Sequence, residues 1–282
     1  MRESVLVVLG AGGMGEAIAH RVGSGKAILL ADSSDEVLAR ASEAIRSQGH
    51  AVSTHRVDVS SPDSVRDLAQ LAASLGRVTQ VGHTAGLSPA QATSAAILSV
   101  DLLGVALVLE EFGRVVAPGG AGVVISSMAG HLAPPLSPEE EQALANTPPG
   151  ELLQLPLLLE RGGDDPGGAY ALAKRANQIM VQAASLGWGA RGARVNSISP
   201  GIVSTPMGRL ELSSPVGDLM RSMVDSSPAR RLGTPDDIAS VASFLLGPES
   251  TFITGTDVLV DGGVVAALRF AGSSGATSGD RY

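Results

Sequence analysis

The sequence predicts an α/β fold, a parallel sheet with helices on both faces, on three observations. Short aliphatic runs alternate with longer amphipathic stretches along most of the chain. Those runs are nearly continuous in apolar residues, the pattern of strands buried on both faces. Repeated strand–helix alternation then calls for right-handed crossovers that lay helices over both sides of one sheet.

Taken in order, "SVLVVLG" at 4–10 reads as the first strand, followed by a helix from Met14 to Val22. "AILLAD" at 27–32 is the second strand, followed by a helix from Glu36 to Ser47. "AVSTHRVDV" at 51–59 is the third, and "SPDSVRDLAQLAASLG" at 61–76 the next helix. Pro62 suits its first turn, where a missing N–H costs nothing, behind a Ser61 cap. "VTQVGHTAG" at 78–86 and "AGVVISS" at 121–127 are strands separated by an apolar helix near 96–116. "ARVNSISPG" at 193–201 and "TDVLVDGG" at 256–263 complete the set.

Residues 131–168 break the alternation and are rich in Pro, Glu and Leu. "SPEEEQALAN" reads as a capped short helix and "ELLQLPLLLE" as another broken at Pro156. This stretch is either a surface insertion or, lying just before Tyr170, a part of a substrate site or interface. The expected organisation is a single catalytic domain over 1–271, with the 131–168 insertion, and a Gly/Ser-rich flexible tail over 272–282.

The 282 residues are 44% hydrophobic and 17% charged, which suits a full core and argues against disorder. A net charge of −8 with no Lys/Arg run speaks against a nucleic-acid partner. No apolar run is long enough to suggest a membrane span. With no cysteine, thiolate nucleophiles and Cys-ligated metals are excluded. No metal site is expected, and a cytoplasmic setting is.

"VLVVLGAGGMGEAIA" places Gly10, Gly12 and Gly15 in a Gly-x-Gly-x-x-Gly run between a strand and a helix. Gly10 allows the tight turn, Gly12 lets backbone approach a pyrophosphate, and Gly15 lets the helix pack on the strand. The helix N-terminus offers free N–H groups to the anion. Asp32 ends the second strand, where a carboxylate accepts ribose hydroxyls and repels a 2′-phosphate. That favours NAD over NADP; the other reading of Asp32 is a helix N-cap.

Tyr170 and Lys174 in "GGAYALAKRAN" are one helical turn apart and so share a face. The chain has only two tyrosines, the other being Tyr282. Alone, the pair is as readily a packed ring beside a solvated lysine. Ser127 ends an apolar strand, as either a turn cap or a reactive hydroxyl, and Ser126 would face the other way.

Together these stretches resemble the short-chain dehydrogenase/reductase family over about residues 4–265. The Gly-rich loop, "VDV" at 57–59, "HTAG" at 83–86, "ISSMAG" at 125–130, "YALAK" and "RVNSISPGIVSTPM" at 194–207 follow the family's order. So does "GTPDDIASVASFLLGPESTFITGTDVLVDGG". The resemblance implies a Rossmann-type doubly wound sheet, alcohol oxidation or carbonyl reduction with a nicotinamide cofactor, and a homo-oligomer, dimer or tetramer. It implies Tyr170 as acid–base, Lys174 on the nicotinamide ribose and lowering the phenol pKa, and Ser127 on the substrate oxygen. It implies cofactor contacts from Gly10, Gly12, Gly13, Met14, Gly15, Asp32, Asp58, Val59, Thr84, Ala85 and Gly86. Pro200, Gly201, Val203 and Thr205, with Tyr170 and Lys174, complete the set. The partner is a small-molecule alcohol or carbonyl compound.

Four departures stand out. The Gly-rich loop is one residue shorter than the family's, with Leu9 in the place of a Thr. Asp101 stands where the family has a catalytic Asn, and is carried as catalytic beside a structural alternative. His83-Thr84 replaces Asn-Asn, with His83 read as buried and satisfied or as an adenine contact. Ser127 and Tyr170 are spaced more widely than usual by the 131–168 insertion, as in some members of the bacterial hydroxysteroid dehydrogenase/carbonyl reductase type. A lid near 205–230 and walls from Met128, His131, Met207, Leu210 and Met220 suit a bulky secondary alcohol. Other readings are a catalytically weak NAD(H)-binding regulatory or scaffold protein and an epimerase or dehydratase with retained NAD. The short stretch after Pro200 disfavours the last.

Overall fold

In β1 (Ser4–Leu9), Val5, Val7 and Leu9 enter one apolar cluster while Leu6 and Val8 enter another. The strand is thus buried on both faces, as its unbroken aliphatic run demands. In this computed structural model, which describes residues 3–270, six further strands continue the sheet. They are β2 (Ala27–Asp32), β3 (Val52–Arg56), β4 (Arg77–His83), β5 (Val116–Ile125), β6 (Arg194–Pro200) and β7 (Asp257–Val260). All pairings are parallel, in the order β3-β2-β1-β4-β5-β6-β7. The α/β doubly wound expectation holds.

The helices are α1 (Gly13–Val22), α2 (Asp35–Arg46), α3 (Pro62–Leu75), α4 (Ser94–Ile97), α5 (Gly104–Val115), α6 (Met128–Leu132) and α7 (Pro138–Asn146). They continue with α8 (Pro149–Leu152), α9 (Pro156–Gly162), α10 (Pro166–Ala190), α11 (Pro206–Leu212), α12 (Gly217–Ser226), α13 (Pro235–Leu246) and α14 (Val264–Phe270). α1, α2 and α13 cover one face through residues such as Ile18, Ile45 and Leu245. α3, α5 and α10 cover the other through Leu68, Phe112 and Ala176.

The helix expected near 96–116 is there, with a difference: Leu98–Leu103, between α4 and α5, is wound as a π-helix. Such widened turns cluster at functional sites, and this one carries Asp101. The expected cap at Ser61 is present, its hydroxyl accepting from the Ser64 amide.

The 131–168 insertion is not a loose surface appendage. Ser137 and Glu140 form a reciprocal cap on α7. Pro156 separates α8 from α9 by opening the latter. Leu144, Leu152, Leu157 and Leu158 are buried in the same cluster as α10. Arg161 reaches Glu140 at 2.7 Å and Arg175 of α10 reaches Glu141 at 2.6 Å. Asp165 then caps α10, accepting from the Gly167 and Gly168 amides at 3.0 Å each. The insertion therefore hands the chain directly into the helix that carries Tyr170. The tail expected over 272–282 lies outside the described residues. No described helix is long and apolar enough to cross a membrane.

Candidate active site

The strand order reverses between β1 and β4, and a crevice opens there beyond the carboxyl ends of the strands. It is a cavity of about 320 Å³. Gly10 turns the chain at its edge with φ +92°. A Cβ at Gly15 would overlap the Gly10 carbonyl oxygen, so Gly15 sets the closeness of α1 to the turn. A Cβ at Gly12 would meet nothing within 4 Å, so that backbone faces open space. Gly12 is also the N-cap of α1, with no side chain satisfying the first-turn amides. Gly10 thus makes the turn and Gly15 the close helix contact that their places in the run foretold.

Gly10, Gly12, Gly13, Met14, Asp32, Asp58, Val59, Thr84, Ala85, Gly86 and Thr205 all line this cavity. Thr84 ties its two loops together, donating to the Gly10 carbonyl at 2.6 Å. Asp32 accepts from the Ala11 amide at 2.8 Å and the Ser34 amide at 2.9 Å. It does not cap α2; Ser34 does, which corrects the capping alternative. Asp58 accepts from Ser60, and the Thr205 methyl packs against Gly13.

Gly15, Tyr170, Lys174, Pro200, Gly201 and Val203 do not line the cavity. Gly201 lies against Asp261, and Val203 borders a separate small cavity. Arg40 lines the cavity and was not foreseen as a site residue; it lies 3.8 Å from Glu16. Its signal was available, because Val37 and Arg40 share one face of α2 and both reach the cavity.

Gly86 links the crevice to the buried end of the site. A Cβ there would come within 3.0 Å of Asp101 Oδ1 and 3.4 Å of Lys174 Nζ. Lys174 Nζ lies 5.3 Å from the Tyr170 ring centroid and donates to the Ile125 carbonyl at 3.3 Å. Ser127 caps α6, accepting from the Ala129 amide at 3.1 Å, and its hydroxyl also stabilises an ionised Tyr170. The capping reading of Ser127 therefore holds. Ser126 faces away, donating to the Lys174 carbonyl at 2.8 Å.

Asp101 is fully buried, 3.8 Å from Lys174 Nζ, and its Oδ1 accepts from the Leu87 amide at 2.8 Å. Like Ser127, Tyr170 and Lys174, it does not line the crevice, and the charged side chain beside it is Lys174. Burial raises the Asp101 pKa, against the pull of Lys174 and the Leu87 amide. The resemblance implied a lowered phenol pKa at Tyr170, and here the direction is upward. Burial is the larger cause, followed by the charge of Asp101, with a smaller push from Glu211 and an opposing pull from Ser127. Glu211 on α11 was not foreseen, since nothing local marks it; its own carboxyl is raised by burial.

His83 is buried, but it is not satisfied: neither ring nitrogen has a partner. Burial first, and the charge of Lys174 second, push its pKa down to about 3. It does not line the crevice, so the adenine alternative is not supported. Of the wall candidates, Met207 lines the crevice. His131 turns to Asp257 at 2.7 Å, in a network where Ser197 and Ser199 also donate to that carboxylate. Leu210 is 55% exposed.

A glycine cradle at a strand-order reversal, an acidic residue at the end of β2 and a Tyr–Lys pair define a dinucleotide-binding α/β protein of the oxidoreductase kind. A family model described as enoyl-(acyl carrier protein) reductase matches residues 9–138 and 139–265. A protein of Alternaria brassicicola, short-chain dehydrogenase/reductase bsc3, is 47% identical over 95% of this chain and 98% of its own. A 3-alpha-hydroxysteroid dehydrogenase/carbonyl reductase of Comamonas testosteroni is 33% identical over 66% of this chain and 72% of its own. A solved short-chain type dehydrogenase/reductase of Mycobacterium ulcerans superposes with a TM-score of 0.74 at 25% identity, covering 94% and 90% of the two chains.

The chain belongs to the short-chain dehydrogenase/reductase family, oxidoreductases of alcohol and carbonyl groups that use NAD(P).

Proposed function

We propose that this protein is an NAD(H)-dependent dehydrogenase/ketoreductase that interconverts a secondary alcohol and its carbonyl compound. The carrying observation is the Lys174 ammonium 5.3 Å from the Tyr170 ring, just behind the Gly86 edge of the cradle. The residues suit the cofactor: Gly12 leaves room for a pyrophosphate, the α1 amides face it, and Asp32 stands at the ribose end. When bound, the nicotinamide supplies the hydride chemistry. Gly13, Met14, Asp58, Val59, Thr84, Ala85 and Thr205 would hold the rest of it, and Lys174 the nicotinamide ribose.

Tyr170 exchanges the proton of the substrate oxygen, and Ser127 hydrogen-bonds that oxygen. Asp32 supports NAD over NADP, because its carboxylate repels a 2′-phosphate. Among the described residues, Arg40 is the one cation lining the cavity and works against that choice, and Glu16 shares its charge. A homo-oligomer belongs to the same proposal. Here α7 and α9 lie on α10, so that helix's outer face is covered by its own chain, which favours a dimer built elsewhere.

The test is an NAD⁺/NADH activity screen over alcohols and ketones with the wild type beside Tyr170→Phe. The variant is expected to lose about 100-fold or more of the rate while NADH binding, read by fluorescence, is kept. Near-normal turnover in Tyr170→Phe would overturn the assignment.

A further inference from the structure

The π-helical turn at Leu98–Leu103 presses Asp101 into the interior, where its one close cation among the described residues is Lys174. Both side chains are buried, at 0% and 5% exposure. Asp101 Oδ1 is fixed by the Leu87 amide, while Oδ2, the atom nearest Lys174, accepts no hydrogen bond. The Gly86 backbone closes the pair off; a methyl there would press on both groups.

A buried lone ammonium is costly, and a buried ammonium–carboxylate pair is neutral. An Asn at 101 would keep the Leu87 hydrogen bond and leave the Lys174 charge free to stabilise a phenolate. An Asp shares that charge. We propose that Asp101 is a built-in counter-charge to Lys174, one that holds Tyr170 as a proton donor and sets this site for carbonyl reduction at neutral pH. This rests on the reading of Tyr170 as the acid–base. In that direction the Tyr170 hydroxyl gives its proton to the substrate oxygen, and a bound reduced nicotinamide would supply the hydride for the carbonyl carbon.

The other charges near the pair point the same way. Glu211 faces Tyr170 from α11 and is itself acidic. His83 faces Lys174 from β4 and stays neutral. On the elements packed against α10, Glu140 and Glu141 of α7 are engaged with Arg161 of α9 and with Arg175. Glu111 of α5 is engaged with Arg114, and His131 of α6 with Asp257. Among the described residues, Lys174 is the one cation that lies over the Tyr170 ring.

The tyrosine content makes a direct test possible. With Tyr282→Phe, Tyr170 is the only tyrosine, so near-ultraviolet tyrosinate absorbance of the cofactor-free protein reports it alone. We expect it to ionise above its ordinary value of about 10. Adding Asp101→Asn should lower the midpoint by about one to three units, a 10- to 1,000-fold change in its ionisation constant. Asp101→Ser, which also removes the charge, should lower it in the same direction. In turnover, the pH profile for alcohol oxidation should move toward acid in both variants.

Ionisation of Tyr170 only in the Asp101 variants, before alkaline unfolding of the parent, supports the proposal. Midpoints unchanged in both folded variants overturn it, as does failure of Tyr170 to ionise before unfolding in all three proteins. Loss of the catalytic reading would look different: Tyr170→Phe would keep its turnover whatever the titration shows.

Discussion

Replacing His83 by Asn should remove part of the protein's acid sensitivity. The His83 ring is 1% exposed, neither nitrogen has a partner, and Lys174 opposes its protonation. Its pKa in the fold is therefore about 3, against about 6.5 in an unfolded chain. As pH falls below about 6.5, the unfolded chain gains a proton that the folded protein refuses. Stability is thus undiminished by this group above that pH and declines through the window down to about 3. At about 1.4 kcal/mol per unit, the loss approaches about 5 kcal/mol at most, with about 3 kcal/mol of it reached by pH 4. Urea unfolding of wild type and His83→Asn at pH 7, 5.5 and 4 measures it. The wild type should lose more stability than the variant across that range, by about 3 kcal/mol. A gap between the two proteins that does not change with pH would refute the neutral, buried imidazole.

Other outcomes follow from the crevice and the caps. Asp32→Ala should raise kcat/KM for NADP relative to NAD, because the repelling carboxylate goes and Arg40 stays in the cavity; an unchanged ratio in steady-state kinetics counts against Asp32 as the selector. Gly12→Ala should leave the melting temperature nearly unchanged, since its methyl enters open space. It should nonetheless weaken NADH binding by about tenfold or more, because the cradle's backbone must approach the pyrophosphate. Gly15→Ala should instead cost about 1–3 kcal/mol in chemical denaturation, because its methyl collides with the Gly10 carbonyl. Thr234 accepts from the Asp237 amide and Asp237 caps it in return, with Arg231 alongside. Thr234→Ala should lower stability by about 1 kcal/mol in the same assay. The Arg231 guanidinium and the Thr234 amide hold the Asp237 carboxyl below its usual range. Its contribution is therefore present above about pH 4 and fades as pH falls further; Asp237→Asn should flatten that part of the acid limb.

The sheet was legible because its information is local. A strand such as Val5–Leu9, apolar at every position, can only be buried on both faces, and the structure divides its side chains between two clusters. The glycine turn was legible for the same reason: the motif's three glycines fall within six residues, and of them Gly10 takes the positive φ and Gly15 the close contact that no side chain would allow. The Tyr170–Lys174 pair followed from one helical turn, and the insertion's break at Pro156 from one missing N–H.

What only the tertiary structure decided concerns charge and burial between distant segments. The sequence put Asp101 in an ordinary helix; packing wound that turn as a π-helix and drove the carboxylate against Lys174, and burial first, with the Asp101 charge second, turned the Tyr170 direction upward. It put His83 at a strand end, and only the packed structure leaves the ring dry, without a partner and under the charge of Lys174. Arg40 in the crevice, Glu211 facing the phenol and His131 turned to Asp257 belong to the same class. Periodicity fixes which face of an element is apolar. The energy of a charge depends on what other chain segments bring within a few ångströms of it, and no window of sequence contains that.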